Sequence, residues 1–209
     1  MSGAFGLIFA LLASSSADGA LATLQALNAD LLGHDSATAT LTRWCGKERL
    51  ADPPTIRAVR VRGADEPADA RARTLLRARP GERMRYRHVQ LTCGAHILSD
   101  AENWYLPARL TPDMNRRLDE TDTPFGVIVA PLGFHRRTLE ARLLMGRSRQ
   151  AAAPRYVLRH RALLTTGAGV PFSMVVERYT RDLLEASAGE GALNPPRRQT
   201  PARASPNWP

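Results

Sequence analysis

Residues 83–93 read RMRYRHVQLTC, and the alternation of this stretch predicts a β-strand with two chemically different faces. Val89, Leu91 and Cys93 share one face, and Arg87 is the next residue on that face towards the amino end. A permanently charged guanidinium at the rim of an apolar face is costly to bury unless an anion meets it. The stretch therefore predicts that Arg87 binds a carboxylate, supplied by the protein or by a ligand.

Further strands and helices are predicted on both sides of this strand. A strand over residues 96–108 follows the turn Cys93-Gly94-Ala95 and forms a hairpin with the first. Other strands are predicted at residues 56–61, 134–145, 155–165 and 171–181. Helices are predicted at residues 17–33, at 37–45 behind a Ser36 or Asp35 cap, and at 112–120 behind Thr111. This order predicts an α+β fold, an antiparallel sheet packed by helices on one side.

The length of 209 residues suits one domain, which we place at residues 17–185. Residues 1–16 are apolar but lack the basic residues that open a signal peptide, so we expect a flexible lead or an overextended start. Residues 186–209 are rich in proline and arginine and predict a disordered tail. Since no apolar run is long enough to cross a membrane, we expect a cytoplasmic protein without a membrane partner.

The net charge of +9 raises the question of nucleic-acid binding. The arginines are scattered along the chain without interleaved aromatic residues, which favours a solvated basic surface and no nucleic-acid partner. The spacing of Cys45, Cys93 and the histidines does not match a metal site, and we interpret the cysteines as reduced thiols. We expect a monomer that needs neither a metal nor an organic cofactor.

Glu177 is a second charged residue inside an apolar strand. Residues before it are apolar on both faces, as in a central strand, and Glu177 shares its face with Val175 and Ser173. Such a carboxyl group either pairs with a cation or has its pKa raised by desolvation. A structural ion pair and a catalytic role have equal weight here. With Arg87, this acid would suit a substrate that carries a carboxylate and an oxygen leaving group.

Two backbone segments offer further anion sites. Asp35-Ser36-Ala37-Thr38 opens a helix, whose first N–H groups can bind a carboxylate, although simple capping explains the same residues. The turn Thr123-Pro124-Phe125-Gly126 can also expose an N–H group, as many ordinary turns do.

The chain resembles the chorismate pyruvate-lyase family, which makes 4-hydroxybenzoate and pyruvate from chorismate. The resemblance rests on four segments in this order along the chain: the helix start at Asp35, the strand that Arg87 opens, the turn at Thr123, and the strand that contains Glu177. The resemblance covers residues 20 to 182. The family has Asp-Ser before a helix, an arginine that opens an apolar strand, a Thr-Pro-Leu-Gly turn, and an acid in the last strand after a Gly-x-Pro turn. The matching residues here are Asp35-Ser36, Arg87, Thr123-Pro124-Phe125-Gly126, Gly169-Val170-Pro171 and Glu177.

The resemblance implies an antiparallel sheet with helices that enclose a pocket, and a cofactor-free carbon–oxygen lyase. Arg87 and the N–H groups of Ala37 and Phe125 would hold the ring carboxylate of chorismate, and Glu177 would lie near the ether oxygen. The product would serve ubiquinone or secondary-metabolite synthesis. The alternative is a module that binds an aromatic acid without turnover, like the effector-binding domains of certain transcription regulators.

This chain departs from the family at Ala37, Phe125 and Val176, where methionine, leucine and threonine are usual. These departures indicate a divergent branch of the family, whose substrate can differ.

Overall fold

The computed structural model describes residues 5–63, 70–144 and 155–184. Its helices are α1 (Phe5–Leu32), α2 (Ala37–Lys47), α3 (Ala70–Leu75), α4 (Pro112–Glu120) and α5 (Phe125–Ile128). Its strands are β1 (Ile56–Arg60), β2 (Arg85–Cys93), β3 (His96–Tyr105), β4 (His135–Leu143), β5 (Tyr156–Thr165) and β6 (Pro171–Thr180). Two short 3₁₀ turns cover Pro107–Arg109 and Ala130–Leu132.

All six strands belong to one antiparallel sheet in the order β1-β2-β3-β6-β5-β4. The predicted hairpin is the β2–β3 pair, and it turns at Gly94, whose φ of 56° is a conformation that glycine adopts without strain. The β6 strand lies in the middle of the sheet between β3 and β5, in agreement with the apolar character of both of its faces. The predicted α+β fold with an antiparallel sheet is confirmed.

One face of the sheet carries the main core, and we call it the inner face. In α1, Leu24, Leu27 and Leu31 are fully buried and form one apolar cluster with residues of α2 and with Val89 and Leu91 of β2. A second cluster joins α4 and α5 to the ends of β3, β5 and β6. Helices therefore cover the inner face along its length, and a cavity lies between them and the sheet.

The opposite, outer face is packed by α3. Ala72 of this helix lies in a cluster with Trp104, Met174 and Val176, which alternate with the inner-face residues of their strands. The prediction that helices pack on one side is therefore incomplete. The helix is six residues long, and its few apolar residues gave no helical period to read.

The outer face also carries a network of charged side chains. His88 Nε2 lies 2.8 Å from Asp100 Oδ1, Arg178 Nη1 donates to Glu102 Oε2 at 2.7 Å, and the hydroxyl of Tyr86 donates to Glu102 Oε1 at 3.1 Å. We call these five residues the outer-face network. Both carboxylates of the network therefore have a partner within it, whereas His88 Nδ1 has no hydrogen-bond partner among the described residues.

The predicted starts of α2 and α4 are confirmed, each behind its side-chain cap. The Ser36 Oγ accepts from the Ala39 N–H at 3.2 Å, and the Thr111 Oγ1 accepts from the Met114 N–H at 3.2 Å. The first helix begins at Phe5, twelve residues before the predicted start. The expected disordered tail lies outside the described residues.

Cys45 of α2 and Cys93 of β2 form a disulfide, with 6.2 Å between their Cα atoms. The prediction of reduced thiols is therefore wrong. The two cysteines are separated by 48 residues, and only the fold shows that the end of α2 passes over the end of β2.

None of the helices in the described part of the chain combines the length and the apolar character required to cross a membrane.

Candidate functional site

A cavity lies between the inner face of the sheet and the beginnings of α2 and α5. It encloses about 430 Å³, including its mouth. Its floor is the inner face of the central strands, where Val89, Ala101, Asn103, Val175 and Glu177 line it.

The rim of the cavity is made of two backbone segments, Ser36–Thr38 and Phe125–Gly126. A Cβ atom at Gly126 would lie 3.1 Å from Thr38 Oγ1 and 3.3 Å from Ser36 Oγ, so glycine allows the two segments to approach each other. The N–H groups in the first turn of a helix have no partner within that helix. Those of Ala37 in α2 and of Phe125 in α5 are in this position.

Ala37, Phe125 and Glu177, three of the four predicted site residues, line this one cavity. Arg87 is not part of the lining. Its cross-strand partner Asn103 and its neighbour on the inner face, Val89, both line the cavity, so Arg87 lies directly beside it. The fold thus brings together residues that are up to 140 positions apart in sequence.

The side chain of Arg87 is buried and largely unpartnered. The residue is 3 % exposed, and its Nη2 donates to the Thr123 carbonyl oxygen at a long 3.5 Å. Among the described residues, its Nε and Nη1 have no hydrogen-bond partner. Burial, together with the nearby charge of Arg60, lowers the pKa of Arg87 to about 10. The guanidinium is therefore a buried cation that forms no ion pair with a carboxylate of the described residues, although the charges of Asp119 and Asp122 act on it from a greater distance.

Glu177, in contrast, is part of an ion pair. Arg136 Nη2 donates to Glu177 Oε2 at 2.5 Å, and the Tyr179 hydroxyl donates to the same oxygen at 3.0 Å. The arginine and glutamate side chains are both almost fully buried. Of the two interpretations of Glu177, the ion pair is therefore present, and the catalytic role stays a prediction.

No sequence pattern identified Arg136 as a site residue. It lies at the start of β4, where its side chain lines the cavity and its backbone N–H donates to Asp35 Oδ1 at 2.7 Å. The buried charge of Glu177 indicated that a cation had to be close. Because the edge strand β4 contains several arginines, the sequence could not show which of them pairs with Glu177. Asp35 thus ties β4 to the rim, and Ser36 alone provides the cap of α2.

His160 of β5 is a buried polar residue next to the Arg136–Glu177 pair. It is the cross-strand neighbour of Glu177, it is fully buried, and its Nε2 lies 2.8 Å from Asn28 Oδ1 of α1. Burial lowers the pKa of His160 to about 4, although the charge of Glu177 acts in the opposite direction.

We expect this histidine to make the protein less stable in mild acid. Between pH 6.5, the ordinary pKa of histidine, and about 4, the unfolded chain binds a proton that folded His160 does not. The free energy of unfolding therefore falls through this window as pH falls, by up to roughly 3 kcal/mol. Urea titrations at several pH values should show a shallower decline for His160→Gln. The control His96→Gln, at an exposed histidine, should decline as the wild type does.

A search of protein-family models finds no match to this chain. The chain is 46% identical over 185 residues to the uncharacterized protein y4mC of Sinorhizobium fredii, a match that covers 81% of this chain and 78% of that protein. The crystal structure of PhnF from Mycobacterium smegmatis is similar with a TM-score of 0.51 at 16% identity, over 73% of this chain and 67% of PhnF. The separate effector domain of PhnF gives a TM-score of 0.46 at 14% identity, over 61% of this chain and 82% of the domain. At 16% identity the likeness to the crystal structure of PhnF shows the fold alone, and it agrees with the α+β class.

Proposed function

The chain belongs to the same family as the y4mC protein, and we propose that its cavity binds a small organic acid without converting it. The observation that carries this proposal is the buried guanidinium of Arg87, which lacks partners for two of its nitrogens among the described residues. The ligand carboxylate would bind this guanidinium.

Energetics favour an anionic ligand at this place. A buried charge without a partner destabilises the folded protein by several kcal/mol, and a carboxylate that forms charge-assisted hydrogen bonds offsets this cost. The N–H groups at the start of α2 add positive partial charge on the same side of the cavity. An apolar side chain at position 87 would be cheaper for folding alone, so the arginine is best explained by a ligand.

The remaining walls suit an apolar body attached to that carboxylate. Phe125 and Phe134 line the cavity, and Leu164 and Val175 add aliphatic surface. Phe125 also lies edge-on to Tyr105, with ring centroids 5.6 Å apart, which holds its ring in place. A ring-sized acid such as a substituted benzoate matches this combination of one cation and apolar walls.

Replacing Arg87 by methionine should weaken binding of 4-hydroxybenzoate by about 10- to 100-fold, because hydrogen bonds to a charged group contribute roughly 1.5–3 kcal/mol. The same substitution should leave the free protein at least as stable as the wild type, since it removes an unpaired buried charge. Isothermal titration calorimetry and urea unfolding measure the two effects.

Arg85→Met is the matched control. Arg85 lies two residues away on the same strand face and pairs with Asp119 at a partly exposed site, with 2.7 Å between Nη2 and Oδ1. This variant should bind the acid normally and lose at most about 1 kcal/mol of stability. Equal affinity of wild type and Arg87→Met for the acid would contradict the proposed function.

A second candidate is the chorismate lyase activity that the resemblance implies. It is favoured by the position of Ala37, Phe125 and Glu177 in one cavity beside Arg87. The lyase would need Glu177 to give a proton to the ether oxygen. Arg136 and Tyr179 already donate to Oε2 of this carboxylate, and this counts against a proton donor and in favour of binding alone.

Incubation with chorismate distinguishes the two candidates. If 4-hydroxybenzoate and pyruvate appear in equal amounts by chromatography, and Glu177→Gln abolishes them, the protein is a lyase. If chorismate stays intact while 4-hydroxybenzoate raises the melting temperature, the binding function is supported.

A further inference from the structure

Arginines from three strands come together on the outer face of the sheet. Arg142 of β4 is paired with Arg159 of β5, and Arg159 is paired with Arg178 of β6, so three arginines lie side by side in one row. Arg161 is on the same face of β5 in the adjacent row, opposite Val176. We call Arg142, Arg159, Arg161 and Arg178 the arginine patch.

The row of arginines is unfavourable for folding by itself, because like charges directly opposite each other on neighbouring strands destabilise a sheet. The acid beside the row does not neutralise it. Glu140 Oε1 lies 3.6 Å from Arg159 Nη1, and Glu140 Oε2 lies 3.7 Å from Arg161 Nη1, so two arginines share one carboxylate beyond hydrogen-bond distance. Among the described residues, the Nε atoms of Arg159 and Arg161 have no hydrogen-bond partner.

Arg178 has closer acidic partners, but these lie below the surface. Its Nη1 donates to Glu102 Oε2 at 2.7 Å and lies 3.6 Å from Asp100 Oδ1. Both acids are buried, whereas the Arg178 side chain is 32 % exposed and Arg142 is exposed. Of these three acids, only Glu140 is substantially exposed, so the patch presents mainly positive charge to the solvent.

We propose that the arginine patch binds the phosphate backbone of a nucleic-acid duplex. Guanidinium groups form bidentate, charge-assisted hydrogen bonds with phosphate, and the net charge of +9 attracts a polyanion from a distance. The scattered positions of the arginines in the sequence favoured a solvated surface without a nucleic-acid partner. The strand register removes this ground, because it places four of them together. The patch and the cavity lie on opposite faces of the sheet, so this inference is independent of the proposed function.

The spacing of the patch suits a phosphate backbone. Neighbouring strands lie about 4.8 Å apart, so the row from Arg142 to Arg178 spans roughly 10 Å. Each strand of a duplex carries one phosphate for about 3.4 Å of helix axis, so this span faces about three successive phosphates. Contacts of this kind carry no base-sequence information. Of the exposed large apolar residues in the described part of the chain, Leu143 alone adjoins the patch, which provides little surface for insertion into a membrane.

The test measures binding of the full-length protein to a fluorescently labelled DNA duplex of about 20 base pairs by anisotropy, at roughly 50 to 200 mM salt. Four phosphate contacts predict a slope of log K against log salt of about −3.6 or steeper, which weakens binding by roughly 100-fold or more over this range. The variant Arg142→Gln/Arg159→Gln should make the slope shallower by about 1.8 and weaken binding at 100 mM salt by roughly 50-fold. Arg161 stays in place as the partner of Glu140 in this variant.

Arg43→Gln/Arg116→Gln is the matched control, because it removes the same charge from helices that cover the inner face. The two side chains are 47 % and 61 % exposed. Charges farther away than the Debye length of about 8–10 Å are screened, so this variant should bind the duplex within about twofold of the wild type. Arginines outside the described residues are the same in all three proteins, and the comparison therefore isolates the patch. Circular dichroism establishes that each variant is folded.

The inference is overturned if the wild type does not bind the duplex at 50 mM salt, or if the patch variant keeps the wild-type affinity and slope. Equal weakening in both variants would show that net charge, and not the patch, is responsible. Binding to phosphatidylserine-containing vesicles without binding to the duplex would identify a membrane site instead. Should Arg142→Gln/Arg159→Gln fail to fold, the single variant Arg142→Gln at the exposed end of the row replaces it, with an expected slope change of about 1.

Discussion

Replacing Glu177 by leucine should lower the free energy of unfolding by about 3–5 kcal/mol, because Arg136 is then left as a buried cation without its anion. The Arg136 side chain is 3 % exposed, so water does not compensate for the lost partner. Burial acts against the charge of Arg136, and it is the Glu177 carboxylate that raises the pKa of Arg136 above its usual value. Removal of this carboxylate therefore removes the main stabilisation of that charge. Urea unfolding followed by circular dichroism measures the loss.

The double variant Arg136→Met/Glu177→Leu should recover most of this loss, since it replaces the pair by apolar groups of similar volume. An exposed pair provides the control: Arg57 Nη2 lies 2.7 Å from Asp122 Oδ2, both side chains are more than half exposed, and Arg57→Met should cost at most about 1 kcal/mol. A loss below 1 kcal/mol in Glu177→Leu would show that the pair is not structurally important.

Removal of the disulfide should have an effect of similar size. Closing a loop of 48 residues restricts the unfolded chain, and the chain-entropy relation predicts about 4 kcal/mol of stabilisation. The variant Cys45→Ala/Cys93→Ala should lose this amount in urea unfolding under oxidising conditions. Both cysteines are fully buried, and alanine places no new polar group in the core.

Wild-type protein that is unfolded and refolded in the presence of dithiothreitol provides the control for this variant. Its unfolding midpoint should fall to that of Cys45→Ala/Cys93→Ala, while the variant itself should not respond to dithiothreitol. If the wild type is equally stable with and without the reductant, the two cysteines are not bonded in solution.

The parts of the fold that were predictable depend on local patterns. Alternation in residues 83–93 identified β2, and the Ser36 and Thr111 caps located the starts of α2 and α4. Alternation and helix caps involve residues that are close in sequence, so they determine the local backbone conformation without contacts from distant segments. The early start of α1 was missed because residues 5–16 are apolar without a helical period or a cap.

The parts that were missed depend on contacts between distant segments. The Cys45–Cys93 bond and the Arg136–Glu177 pair join residues 48 and 41 positions apart. The chain has only two cysteines, and their spacing did not show that they meet, whereas Glu177 could pair with any of several arginines. Arg87 and Glu177 were identified because a charge in an apolar strand needs a partner wherever the partner comes from. The sequence indicated that each charge needs a partner. The order of the strands in the sheet determines which residue that partner is.

The two faces of the sheet offer a practical opportunity for protein engineering. In β6, odd-numbered residues such as Val175 and Glu177 face the cavity, whereas even-numbered residues such as Val176 and Arg178 face the outer-face network and α3. A library that randomises alternate positions of the central strands would therefore change ligand preference without disturbing the charge pairing on the reverse side. Odd-numbered and even-numbered positions of the same strand could be varied in two separate libraries. The improved substitutions from both libraries could then be combined in one gene.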